Sequence, residues 1–138
     1  MPRGRSRSRT VSMSVTAVTV RYMIDDVEAA IAFYTTHLGF TLESSAAPAF
    51  AAVTRGPLRL LLSGKTSSGA RAMPDGRQPV PGGWNRIQLP MADLAGEVAR
   101  LRSAGLQFRN DILTGVGGSQ ILLDDPSGNP IELFQPAH

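Results

Sequence analysis

The sequence predicts an α+β fold built from two βαβββ modules. Three observations lead there. An alternating apolar strand feeds an amphipathic helix near the N-terminus. Each helical pattern is followed by three short strand patterns. The strand-and-helix order then recurs 67 residues further on, laying Val20 on Ile87, Tyr22 on Leu89, Asp26 on Asp93 and Ile31 on Val98. With 138 residues, 42% of them apolar, the chain can build one core and leaves no room for a second domain of ordinary size.

In the first module, about residues 15–64, VTAVTVRYMI alternates with period two. Val18, Val20, Tyr22 and Ile24 share an apolar face, and Thr19, Arg21 and Met23 share a mixed one. Asp25 or Asp26 caps a helix in which Val27, Ala30, Ile31 and Tyr34 recur at helical spacing, and Gly39 ends it. FTLESS, AFAAVTR and, after the Gly56-Pro57 turn, LRLLLS read as strands. The loop 65–82 is too rich in Gly, Pro and Ser for regular structure, and loops of that length in a compact domain are usually mobile or functional.

The second module, about residues 83–136, repeats the order. WNRIQLPM reads as a strand, Asp93 as a cap, LAGEVARLRSA as a helix ended by Gly105, and LQFRNDIL, SQILLD and PIELFQ as strands. Gly115, Gly117 and Gly118 make a hairpin turn and not a phosphate loop, because no helix with Lys-Ser/Thr follows them. Asp124 and Asp125, ahead of Pro126, are turn formers. His37 at the end of the first helix takes a packing or surface role, and His138 is terminal.

The formal charge of +3 is concentrated at one end. Arg3, Arg5, Arg7 and Arg9 lie in the first 12 residues, and the remainder carries 10 basic against 11 acidic groups. An Arg/Ser tail could touch phosphates electrostatically, but the nearly neutral body argues against a nucleic-acid partner. The tail, residues 1–14, is read as a disordered extension, or as a start placed too early with Met13 opening the native chain. No run approaches the roughly 18 apolar residues of a membrane helix, and no secretory h-region precedes the fold, so a cytoplasmic protein with no membrane partner is expected. The absence of cysteine excludes disulfides, thiol nucleophiles and zinc-thiolate sites.

The duplicated modules, with DDVEAAIAFYTTHLGF in the first and DDPSGNPIELFQP closing the second, resemble the vicinal oxygen chelate superfamily. That superfamily includes glyoxalase I, extradiol dioxygenases, fosfomycin-resistance enzymes and bleomycin-binding proteins. The resemblance covers about Val15 to Pro136 and implies the glyoxalase/bleomycin-resistance fold, in which the two βαβββ modules form a curved mixed-sheet half-barrel around a cleft, with metal ligands of the His and Glu type on the first and last strands of the modules. The corresponding positions here are Thr19, Arg86 and Glu132, with Arg59 or Leu60 at the fourth place according to a one-residue choice of register. Only Glu132 is a ligand type.

Strand parity agrees. If Ile131 and Leu133 pack toward a helix, Glu132 and Phe134 face the cleft. By the same reasoning Trp84, Arg86 and Gln88 face it, opposite Ile87 and Leu89, as do Thr19 and Arg21, opposite Val20 and Tyr22. A divalent cation needs imidazole or carboxylate donors, and Arg86 would place a permanent positive charge where it should sit. No metal and no other cofactor is therefore expected. Arg86 is expected instead to form a charge-assisted pair with Glu132, either closing the barrel or holding a ligand.

Arg21 adds a second guanidinium, and Trp84 and Phe134 add flat walls, a combination suited to a planar or acidic small molecule. Arg109, Asn110 and Gln120 are candidates for the same space, with their register open. The ligand-binding set is thus Thr19, Arg21, Arg59, Trp84, Arg86, Gln88, Glu132 and Phe134. The expected function is metal-independent binding of a small molecule by a homodimer, as the resemblance to antibiotic-sequestering members implies. The alternative is a lyase, isomerase or dioxygenase with Glu132 as its catalytic residue, at a noncanonical metal site or without metal. A carboxylate engaged by arginine is a poor general base, so proton abstraction would require substrate to displace Arg86.

Overall fold

A computed structural model describes residues 17–138. The Arg/Ser-rich segment 1–14 and the Val15 start of the first strand lie outside the described residues. The elements follow the duplicated order. The first module holds β1 (Val18–Met23), α1 (Val27–His37), β2 (Thr41–Ala46), β3 (Phe50–Arg55) and β4 (Leu58–Ser63). The second holds β5 (Ile87–Pro90), α2 (Leu94–Ser103), β6 (Leu113–Thr114), β7 (Gly118–Asp124) and β8 (Pro130–Pro136).

The two mixed sheets have the same topology, β1-β4-β3-β2 and β5-β8-β7-β6. In each, the first and last strands pair in parallel and the remaining pairs are antiparallel. Neither sheet closes on itself, so each presents an open curved face.

Local chemistry fixes both helices. Asp26 and Asp93 are the N-caps, each with a side-chain oxygen accepting from the backbone N–H three residues on, at Ala29 and Gly96. Past α1 the chain reverses at Gly39, whose φ of 74° suits glycine. The buried faces of the helices, Val27, Ala30, Phe33 and Tyr34 on α1 and Leu94, Val98 and Leu101 on α2, join Leu60, Leu62, Ile121, Leu123, Ile131 and Leu133 in one core. Each such aliphatic side chain contributes about 1.5–3 kcal/mol by leaving water. Phe33 takes the central place that spacing gave to Ile31, which packs at the core's margin.

Two expected strands come out shorter. The strand over Trp84–Met91 begins only at Ile87, because Gly82 and Gly83 turn the chain at φ 107° and 93°, and the Arg86 side chain donates to the Trp84 carbonyl. The strand over Leu106–Leu113 reduces to a bridge between Phe108 and Leu123 and the two residues of β6. There the Asn110 side chain accepts from the Leu122 N–H, taking the place of a backbone partner.

A polar seam joins the modules inside the core. The Tyr22 hydroxyl accepts from the Ile87 N–H at 2.9 Å and donates to the Pro130 carbonyl at 2.8 Å. Asp125, 4% exposed, accepts from Ser127 N, Asn129 N, Asn129 Nδ2 and the Tyr34 hydroxyl. Its turn is thereby tied to the first module's helix, and Asn129 Nδ2 also donates to the Met23 carbonyl. Burial, and next Asp125, push the Tyr34 phenol well above the usual tyrosine range. Among the described residues no helix is long and apolar enough to cross a membrane.

Candidate functional site

Glu132 lies in the middle of β8 between Ile131 and Leu133, both fully buried. Strand alternation turns its carboxylate to the open face of the sheet, where Gln88 of β5 stands beside it in register. Glu132 is 5% exposed, and a charge so far removed from water is costly unless it is paired and hydrogen-bonded. Both requirements are met. Arg86 reaches Oε1 with Nε and Nη2, each at 3.0 Å, and Gln88 Nε2 donates to Oε2 at 2.7 Å. Both oxygens thus have a partner, and the Arg86 charge beside the carboxylate opposes the approach of a cation.

The first sheet supplies the matching positions. Thr19 of β1 pairs in register with Arg59 of β4, and Leu60 is buried in the core. The Arg59 Nε lies 3.0 Å from both oxygens of Glu43, an exposed pair. Glu43 sits where the β2–β3 register shifts between Leu42 and Ser44, an irregularity that simple alternation does not reveal.

Thr19, Arg59, Arg86 and Glu132 therefore present two guanidiniums, one hydroxyl and one carboxylate paired to a guanidinium. This donor set does not fit a divalent cation. Among the described residues no three His, Cys, Asp or Glu side chains gather to hold a metal.

Arg21 and Arg86 meet at a pocket of about 340 Å³ at the seam between the modules, lined also by Tyr22, Met23, Val80 and Asn85. A larger hollow of about 500 Å³ adjoins it, sharing Met23 and Val80 and reaching Asp25, Ser63, Lys65 and Gln78. The segment 65–82, expected to be a mobile or functional loop, contributes lining to both. Arg21 Nη1 donates to the buried Ser63 hydroxyl at 2.9 Å, and the 3-10 turn Ser68–Ala70 packs so closely on its guanidinium that a Cβ on Gly69 would collide with it. Among the described residues Arg21 has no carboxylate partner.

The remaining candidates lie elsewhere. Trp84 is 70% exposed in the turn before β5, with the Arg109 guanidinium 4.8 Å from its ring centre. Arg109 itself pairs with Asp124. Phe134 and Gln120 line a separate hollow of about 280 Å³ beside the Gly115–Gly118 turn. Asn110 is committed to the Leu122 N–H, and Thr19 is exposed on β1. The structure thus brings Arg21 and Arg86 to one pocket, with Glu132 and Gln88 held behind Arg86, and sets Thr19, Arg59, Trp84 and Phe134 apart from it.

Sequence reasoning missed Ser63, Gly69 and Val80. Ser63 was within reach, because it shares strand parity with Arg59. The other two lie in a loop with no periodicity to read.

Residues 16–133 match the family model described as Glyoxalase/Bleomycin resistance protein/Dioxygenase superfamily. Among solved structures, a member of that superfamily from Sphaerobacter thermophilus is 25% identical at a TM-score of 0.70, covering 86% of this chain and 95% of its own. A lactoylglutathione lyase from Agrobacterium tumefaciens is 20% identical at a TM-score of 0.69, with coverage of 86% and 91%. TnmS3, an antibiotic binding protein from a Streptomyces species, is 24% identical at a TM-score of 0.68, with coverage of 88% and 95%. No curated protein matches the chain.

Proposed function

The chain belongs to the Glyoxalase/Bleomycin resistance protein/Dioxygenase superfamily, and from that premise we propose that it is a metal-independent small-molecule-binding protein, working as a cytoplasmic homodimer. One observation carries this reading. At the position where the superfamily's resemblance implies a metal-bound carboxylate, the Glu132 oxygens are taken by Arg86 and Gln88, so a protein cation stands where a metal ion would. A guanidinium offers a ligand directional donors and a fixed charge, but no open coordination position for Lewis-acid chemistry.

The structural likeness to TnmS3 supports a binding role, while the likeness to a lactoylglutathione lyase keeps the fold compatible with catalysis. In the enzyme reading, substrate would have to displace Arg86 from Glu132. Leu42, Phe50 and Leu113 are exposed apolar side chains on the open sheets, and pairing of two chains would give them surface to bury.

The discriminating experiment measures turnover of the methylglyoxal–glutathione adduct and of catechols with and without added divalent metal, alongside calorimetric binding of small-molecule fragments. Saturable fragment binding without turnover supports the binding reading. Metal-dependent turnover that is lost in Glu132→Gln contradicts it.

A further inference from the structure

The pocket at the seam differs from the Glu132 position in one respect that bears on its ligand. Arg86 has already spent Nε and part of Nη2 on Glu132 and uses Nη1 on the Trp84 carbonyl, whereas among the described residues Arg21 is held by a neutral hydroxyl. Ser63 on one side and the Gly69 backbone on the other fix the Arg21 guanidinium without neutralising it. A planar fork of N–H donors, oriented in advance and carrying an uncompensated charge, is matched by a carboxylate.

The local charges set the size of the complementary charge. Of the ionised groups at the two hollows, Arg86 is balanced by Glu132, and Lys65 and Asp25 offset each other in the larger hollow. That leaves Arg21 with one positive charge to be met.

The apolar features point the same way. Met23 and Val80 border both hollows, and Pro79 and Pro81 line the larger one, so a ligand anchored at Arg21 finds an apolar wall leading away from the charge. Volumes of about 340 and 500 Å³ lie within the range of about 300–1,000 Å³ common for small-molecule sites.

We propose that this seam pocket binds an organic monocarboxylate, with the carboxylate on Arg21 and the outer edge of Arg86 and the apolar body along Met23 and Val80 into the larger hollow. The proposal rests on the small-molecule-binding reading and narrows it. It places the anchor on the first module at Arg21, away from Glu132, and makes Gly69 a positioning residue, since any side chain there would push the guanidinium aside.

The test compares 2-naphthoate with its neutral counterpart 2-naphthamide, each titrated into the full-length ¹⁵N-labelled protein. Naphthoate is expected to bind about tenfold or more tightly, shifting the Arg21 Nε–Hε resonance and the Val80 and Gly82 amides. Arg21→Gln should remove that preference, and Gly69→Ala should reduce it while leaving the unfolding temperature close to that of the wild type. Equal affinity of acid and amide at these same resonances would overturn the carboxylate assignment and leave a small-molecule pocket standing. Shifts at neither the Arg21 nor the Val80 signals with either compound would overturn the pocket itself, and the binding function with it.

Discussion

Arg86 donates from Nε to one oxygen of Glu132 and brings Nη2 to the same oxygen, each at 3.0 Å, and the two side chains differ in how much water they see: 27% exposure for Arg86 and 7% for Glu132. The pair is therefore lopsided. Its carboxylate depends on the protein for solvation, while its guanidinium stays open to solvent and ligand.

Replacing Glu132 with Ala removes the partner of both Arg86 and Gln88. The expected loss of stability is about 2–3 kcal/mol, below the roughly 3–5 kcal/mol for a fully buried pair because Arg86 can turn to water. Chemical denaturation of both proteins measures it, and coincident midpoints would show that the pair contributes nothing.

Arg86→His removes the guanidinium and sets an imidazole beside Glu132, giving two ligand-type side chains on one sheet face. Nickel or zinc affinity should rise above the wild-type level in calorimetric titration. If it does not rise, the correspondence drawn between Arg86 and the superfamily's ligand position is wrong.

Tyr34 gives the fold an alkaline limit. Its phenol is raised above the ordinary value by burial and then by Asp125, so the unfolded chain loses the proton at a lower pH than the folded one. Above about pH 10 the folded state holds more protons, and stability must fall as pH rises; below that pH the contribution is fully present. Tyr34→Phe should flatten this fall and cost about 1–2 kcal/mol at neutral pH through the lost bond to Asp125. Thermal unfolding from pH 8 to pH 11 reads both effects, and identical alkaline slopes for the two proteins would contradict the assignment.

The proposed homodimer predicts a particle of twice the chain mass in size-exclusion chromatography with light scattering. Leu42→Glu or Phe50→Glu should shift it toward the monomer, by placing a charge on surface that pairing would bury. A wild-type chain that stays monomeric at high concentration would end the dimer proposal.

Much of the architecture was legible because its determinants are local. Asp26 and Asp93 act as caps through residues three positions away, and alternation alone turned Glu132 outward from Ile131 and Leu133. What sequence could not supply came from interactions distant along the chain. Strand pairing set Arg59 beside Thr19, and Glu43 reached Arg59 through a register shift. Trp84 shows the opposite error, in which alternation was carried past the real start of a strand into a turn set by Gly82 and Gly83. The segment 65–82 was recognisable as a loop from composition, but its position over Arg21 depends on Gly69 packing against a residue far earlier in the chain.

The central claim is that the Arg86–Glu132 pair stands in place of a metal ion, and metal content tests it most directly. The protein would be purified without chelator or affinity tag, subjected to elemental analysis, and titrated calorimetrically with nickel, zinc, manganese and iron(II). The account predicts no stoichiometric metal and no saturable heat. One equivalent of tightly bound metal per chain, abolished by Glu132→Ala, would contradict it and return the protein to the metalloenzyme branch of its superfamily.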